Sequence, residues 1–299
     1  MENSMVDTLA TPKPVSEVES RKSNHNSEYD LIIEAGRSEH HYWQDIWRYR
    51  ELFYFLAWRD VVVKFKQTVI GILWALIRPL LTMIIFVFIF GKLAKFPSGN
   101  VPYPLLVFSA MLPWQFFASS LSESSNSLIS NSSLISKVYF PRIIIPASAV
   151  IVSLIDFLIS FSILLVLMFW YKFIPGWQIL TLPLFIAMAF GASFGASLWL
   201  ASLNVKFRDF RYIVPFMVQF GLYISPVGFS SSIIPEQWRL LYSLNPMVGV
   251  IDGFRWAILG QDNAIFLPGL MLSLILITGL LISGTWYFRK TEKKFADII

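Results

Sequence analysis

The sequence predicts an all-α integral membrane protein with six transmembrane helices, on three observations. Of 299 residues, 56% are hydrophobic and 14% charged, with 27 Phe and 11 Trp, outside the range of soluble domains. The apolar residues collect into runs of about 20, the length that crosses ~30 Å of hydrocarbon. Lys and Arg gather in alternate connections between those runs. Composition also removes several chemistries. Cys is absent, so the chain has no disulfide framework, thiolate metal site or cysteine nucleophile, and His25, His40 and His41 all lie in the polar N-terminal segment, far from any span.

In chain order, residues 1–41 come first. Met1 to Asp30 is rich in Ser, Asn, Glu and Pro and lacks the charged start, apolar run and small-residue cleavage site of a signal peptide, so 1–41 is expected to be a disordered cytoplasmic tail. Residues 42–68 follow as an amphipathic helix. At about 100° per residue, Gln44, Arg48, Glu51, Arg59 and Lys66 fall on one stripe, interrupted by Phe55 and Val62, while Trp43, Ile46, Phe53, Ala57 and Val61 fall on the other side. Such a helix lies in the membrane interface, with aromatics at headgroup level and cations reaching water. It is either an ordinary anchor or a surface on which a cytoplasmic partner bears.

Residues 69–294 hold the spans: Val69 to Phe90, Pro104 to Leu121, Ile143 to Trp170, Ile179 to Leu203, Tyr212 to Ile234 and Ile265 to Phe288. The second is the weakest, broken by Pro113 and fading into Ser-rich sequence. With a cytoplasmic N-terminus, one side collects Arg48, Arg50, Arg59, Lys64, Lys66, Lys137, Arg142, Lys206, Arg208, Arg211, Arg289, Lys290, Lys293 and Lys294. The other side holds Lys92, Lys95, Lys172, Arg239 and Arg255. Both termini are therefore expected in the cytoplasm. The net charge of +5 is explained by topology and anionic lipid rather than by nucleic acid.

Two connections are unusual. In NSSLISKVYFPR, Asn131 or Ser132 is expected to cap a short helix through Leu134, Ile135 and Val138, stopped by Pro141. Its Leu134, Ile135, Val138, Tyr139 and Phe140 would be poorly solvated in cytoplasm and need lipid or a protein partner, between which periodicity does not choose. On the external side, Pro235 to Gly260 is nearly as apolar as a span, yet Asn245 and Pro246 divide it into pieces too short to cross. Re-entrant half-helices fit it, with Asp252 and Arg255 spaced to pair on one face; an interfacial hairpin that seals the bundle is the plainer alternative.

Charges and aromatics within spans define candidate path residues. Arg78, about nine residues or ~13 Å into the first span, either snorkels or faces a polar pathway where its guanidinium meets a lipid diphosphate. Asp156, near the middle of the third span, is either satisfied by Ser153 or Ser160 or acts as a proton relay. Phe86 with Phe90, and Phe216 with Phe220 and Tyr223, form stripes that are either packing or sugar-stacking walls. Ala187, Gly191 and Gly195 make a small-residue face for close helix approach, within one subunit or between two.

The ordered set WRYRELFYFLAWRDVVVKFKQTVIGILWALIRP, NSSLISKVYFPR, six spans and SLNPMVGVIDGFRWAILG resembles the permease subunit of type-2 ABC exporters, within these the exporters of O-antigen, capsular polysaccharide or teichoic acid on an undecaprenyl lipid. The resemblance runs from about Tyr42 to Lys294. It implies that Asn131 to Arg142, with Leu134, Ile135, Lys137, Val138, Tyr139 and Phe140, is a coupling helix pressed into an ATPase subunit and flanked by the interfacial helix around Arg48 to Arg59. It further implies that the region of Asn245, Pro246, Asp252 and Arg255 is an external gate. The chain contains no G-x-x-x-x-G-K-S/T, so an ATP-driven mechanism needs a separate polypeptide to bind ATP and Mg. The expected assembly is a homodimer with two ATPase copies in a bacterial inner membrane. It would handle an undecaprenyl-diphosphate-linked glycan, with membrane lipid around it and no catalytic, cofactor or metal site of its own. Competing readings are a drug or lipid exporter of the same family, a membrane glycosyl or phosphoglycosyl transferase, and a proton-coupled transporter.

Overall fold

Backbone N–H and C=O groups cannot be left unpaired in hydrocarbon, and helices carry most of the described backbone. The computed structural model describes residues 42–66, 71–97, 101–260 and 265–295. The expected tail 1–41, the start of the first span at Val69 and the last two residues of 42–68 lie outside the described residues.

The interfacial segment is two helices, α1 (Tyr42–Arg48) and α2 (Arg50–Lys66), joined through Tyr49, whose N–H donates to Asp45 and whose carbonyl accepts from Phe53. Leu56 and Ala57 are buried, while Trp47, Tyr54, Phe55 and Trp58 stand exposed. The first span is α3 (Gly71–Phe86), which passes through Pro79 and continues as a π-helix, Val87–Leu93.

The second span overturns its expectation. α4 (Tyr103–Ser130) is an unbroken helix of 28 residues that runs through both Pro113 and the Ser-rich stretch. Its serines return hydrogen bonds to its own carbonyls, Ser119 Oγ to Gln115 at 2.8 Å and Ser127 Oγ to Ser124 at 2.7 Å, so polar side chains are accommodated without leaving the helix. It is also the most enclosed span, 72% buried against 17% for the first. After it come α5 (Ser132–Lys137), α6 (Ile144–Trp170) and α7 (Leu182–Lys206).

The fifth expected span is shorter than predicted. α8 (Phe210–Ile224) has 15 residues, ~22 Å at 1.5 Å per residue, and stops ten residues before Ile234. Ser225 precedes Pro226, which disfavours helical backbone there, and it is extended at ψ 152°. A 3₁₀ turn, Ser231–Ile233, leads to α9 (Glu236–Tyr242) and α10 (Pro246–Leu259). The final helix is α11 (Leu267–Glu292). Among the described residues five helices are long and apolar enough to cross a membrane, and α8 is a shorter apolar one.

The core forms around α4, which packs against α6, α7, α8 and α10. Polar contacts reinforce the α4–α7 seam: Asn204 Nδ2 donates to Ser125 O at 2.8 Å and Ser197 Oγ to Ser120 O at 3.2 Å. Helix α7 also crosses α11 at Gly195, where a Cβ would lie 2.7 Å from the Leu280 backbone, and Gly191 faces Ile277 and Leu281. Gly191 and Gly195 thus serve packing within the chain; Ala187 is exposed. A second apolar cluster gathers Tyr42, Leu56, Leu128, Ile135, Phe140, Ile143, Leu198, Phe288 and Phe295 at the α5 end of the bundle.

Candidate functional site

At the α5 end, Asn131 precedes the short helix but does not cap it through its side chain. Its Nδ2 donates back to Ser127 O at 2.9 Å, and its Oδ1 accepts from Arg59 Nη2 at 2.9 Å. Arg59 also pairs with Asp60 at 2.7 Å. The fold therefore joins two candidate residues 72 positions apart, Arg59 and Asn131, whereas Arg48 stands exposed at the end of α1. Not all of the apolar run on α5 is available to a partner, which corrects the expectation. Ile135 and Phe140 are buried at 5% and 4%, because they fill the cluster between α4, α7 and α11. Leu134 is half-buried, and Lys137, Val138 and Tyr139 are exposed around an open depression of about 300 Å³ that reaches Arg142.

Arg142 belongs to a contact that sequence reasoning missed. Its guanidinium donates to the backbone carbonyl of Glu292 at the end of α11, and Tyr42 Oη donates to the Glu292 carboxylate at 2.9 Å. Arg289 lies 4.6 Å from the Tyr42 ring centroid. Burial first, then the charge of Glu292, holds the Tyr42 phenol above its ordinary range. These residues are separated by up to 250 positions, and no local signal links them.

Within the bundle, a cavity of about 770 Å³ lies between α2, α3, α4 and α6. Lys64 from the end of α2 reaches into it and binds Asp156 Oδ2 at 2.6 Å, with Glu123 at 3.6 Å. Asp156 Oδ2 is thus held by an ammonium rather than by Ser153, whose hydroxyl bonds Ala149 O, or by Ser160, while the buried Oδ1 has no hydrogen-bond partner among the described residues. Arg78, Gln115 and Ser119 line the same cavity, with Trp74, Phe116 and Phe157 as its aromatic walls. Lys64, Gln115 and Glu123 were not singled out by the sequence, because their convergence depends on how α2 lies along α6.

The aromatic stripes separate. Phe86 is buried and meets Phe90 at 5.3 Å, and Phe90 packs on Phe96 and Phe229, so this pair belongs to the packing of the chain. Phe216, Phe220 and Tyr223 are exposed along α8, with Phe216 and Phe220 4.5 Å apart.

At the opposite end, Asn245 caps α10 by accepting from Met247 N–H at 3.0 Å, and Pro246 occupies the first helical turn, where its missing N–H is harmless. The expected Asp252–Arg255 ion pair does not form. Arg255 is 1% exposed and donates to the carbonyls of Phe229 at 2.6 Å, Val227 at 3.0 Å and Leu106 at 3.2 Å. It thereby holds the irregular stretch after α8 against α4. Asp252 and Arg255 both line a cavity of about 210 Å³, together with Ser230, Arg239 and Tyr242.

Residues 51–259, spanning α2 to α10, match the model of the ABC-2 type transporter family. The chain belongs to the ABC-2 type transporter family. It is 30% identical over 248 residues to an O-antigen export system permease protein of Klebsiella pneumoniae, covering 81% of this chain and 92% of that protein. It is 27% identical over 259 residues to one of Myxococcus xanthus, covering 86% and 98%. To the polysialic acid transport protein KpsM of Escherichia coli it is 24% identical over 204 residues, covering 67% and 78%. In this ABC-2 chain the family match contains α5, the large cavity and Arg255, while Tyr42 and Glu292 flank it on either side. As an ABC-2 permease the chain is a multi-pass membrane protein and a transport subunit rather than an enzyme, and in this family ATP is hydrolysed by a separate subunit.

Proposed function

We propose that the chain is the membrane permease of an ATP-driven exporter that moves an O-antigen-type polysaccharide, carried on undecaprenyl diphosphate, across the bacterial inner membrane. The observation that carries this reading is the likeness, over 81% of the chain, to a permease of O-antigen export. Both termini lie in the cytoplasm, since Lys and Arg concentrate at the α5 end. Helix α8 and the stretch to Ile233 make a sixth crossing together. A 15-residue helix covers ~22 Å, and a few extended residues at ~3.3 Å each cover the rest. Irregular backbone is tolerated at that depth where protein takes its carbonyls, as Arg255 does.

Two copies of the chain enclose the path, and two ATPase subunits, binding ATP and Mg, bear on the exposed Lys137, Val138 and Tyr139 with Arg48 and Arg59 alongside. Closure of the ATPase pair pushes α5 and tilts the spans joined to it. Arg78, Phe216, Phe220 and Tyr223 face the path, and Asn245, Pro246, Asp252 and Arg255 form its external gate.

Deleting the chain in cells that make the glycan tests the reading. Surface polysaccharide should vanish and undecaprenyl-linked polymer accumulate inside, with drug sensitivity unchanged. Intact surface glycan together with drug hypersensitivity would overturn it in favour of a drug exporter.

A further inference from the structure

We infer that the cavity between α2, α3, α4 and α6 is a saccharide-binding subsite that takes a sugar ring. The inference rests on the polysaccharide-export reading and deepens it by naming residues that would hold the cargo. At about 770 Å³ the cavity falls in the range of ligand pockets, ~300–1,000 Å³.

Its walls discriminate among possible occupants. Lys64 and Arg78 are balanced by Glu123 and Asp156, so the cavity carries no excess charge. An anion entering it would face two carboxylates, and Lys64 already contacts both. A hydrocarbon chain would strand ionised and amide groups without water, which is costly. A sugar ring suits both parts of the lining, since its hydroxyls donate and accept while its C–H faces pack on aromatic rings.

The unspent hydrogen-bonding capacity matches this chemistry. Among the described residues, the side chains of Arg78 and Gln115 make no hydrogen bond within the chain, and Glu123 has only the 3.6 Å contact with Lys64. The first two supply donors, and Gln115 and Glu123 supply acceptors. Trp74, 52% exposed at the cavity, provides an aromatic surface beside them. The carboxyl oxygens of Glu123 and Asp156 add acceptors for sugar hydroxyls.

The absence of Cys makes a clean test available, because one introduced thiol is the only one in the chain. Ser119→Cys, and separately Ser122→Cys, are placed in the cavity wall, with Asp209→Cys on the exposed α7–α8 connection as a control. Each is produced with a hydrolysis-deficient ATPase partner, so that cargo stays engaged, and labelled with a maleimide in membranes. One strain makes the complete lipid-linked glycan, and another is blocked before the first sugar is added and holds only the bare lipid diphosphate.

Maleimide labelling in the cavity should fall several-fold in the glycan strain relative to the bare-carrier strain, with the control unchanged. Equal labelling in both strains overturns the subsite. Protection by the bare carrier overturns the sugar assignment in favour of a diphosphate site. A thiol that never labels shows a closed cavity and also overturns it. In parallel, Gln115→Leu should cut surface glycan several-fold at unchanged membrane level; undiminished glycan counts against the subsite. None of these failures touches the export reading, which stands or falls on the deletion phenotype.

Discussion

Val138 and Ile135 are three residues apart in one short stretch, and both are aliphatic, yet the fold gives them opposite fates. Val138 is 49% exposed on the open depression, while Ile135 is 5% exposed in the cluster with Leu128 and Phe288. A charge at each should separate docking from folding. Val138→Glu is expected to leave insertion and thermal stability intact but abolish co-purification of the ATPase partner. Ile135→Glu should instead lower membrane levels, because an unpaired carboxylate in an apolar cluster costs about 3 kcal/mol or more. Affinity capture of the ATPase alongside quantitative blotting reads both. Full co-purification with Val138→Glu would remove this surface as the docking site. Arg255 makes a similar point about placement. Its sequence neighbour Asp252 offers an obvious partner, but the side chain is taken by three carbonyls, two of them in the break after α8.

At the scale of elements, the contact of Tyr42, Arg142 and Glu292 fastens α1, the segment after α5 and the end of α11 to one another. In the proposed mechanism a push on α5 would therefore reach the last span and the interfacial helix directly, without passing through the whole bundle. Tyr42→Phe keeps the ring that Arg289 covers and removes only the hydroxyl bond to Glu292. Arg142→Ala removes the bond to the Glu292 carbonyl. The double variant should retain ATPase association and hydrolysis while exporting less glycan per ATP consumed. Transport coupled as tightly as in the native chain would show that the contact is merely structural. The same scale explains α4. Pro113 and a serine-rich tail are poor signs for a span when read locally, but a helix at the centre of the bundle finds neighbours for its polar groups, as Asn204 and Ser197 on α7 demonstrate.

For the whole molecule, the outer faces of α3, its π-helical continuation and α8 carry exposed Leu73, Leu81 and Ile84, Phe88, and Phe216 and Phe220. Such surfaces are covered by lipid or by a second copy of the chain. The sequence holds no G-x-x-x-x-G-K-S/T, and in the ABC-2 family ATP is hydrolysed by a separate subunit. Reconstituted alone in liposomes, the chain should move no lipid-linked glycan whether or not ATP is present, and adding its ATPase should restore ATP-dependent movement. Translocation by the chain alone would refute the division of labour.

Membrane residence, the helical class, most of the spans and the short α5 were legible in the sequence, because hydrophobic run length and turn chemistry are local properties that neighbours along the chain determine. The resemblance to polysaccharide exporters was legible as well, carried by the order of segments. Only the tertiary structure decided that α4 continues through Pro113, that Ile135 and Phe140 turn inward, and that Lys64 rather than a serine meets Asp156. These outcomes depend on which helices lie side by side. A partner 92 positions away leaves no trace in the residues around either member of the pair.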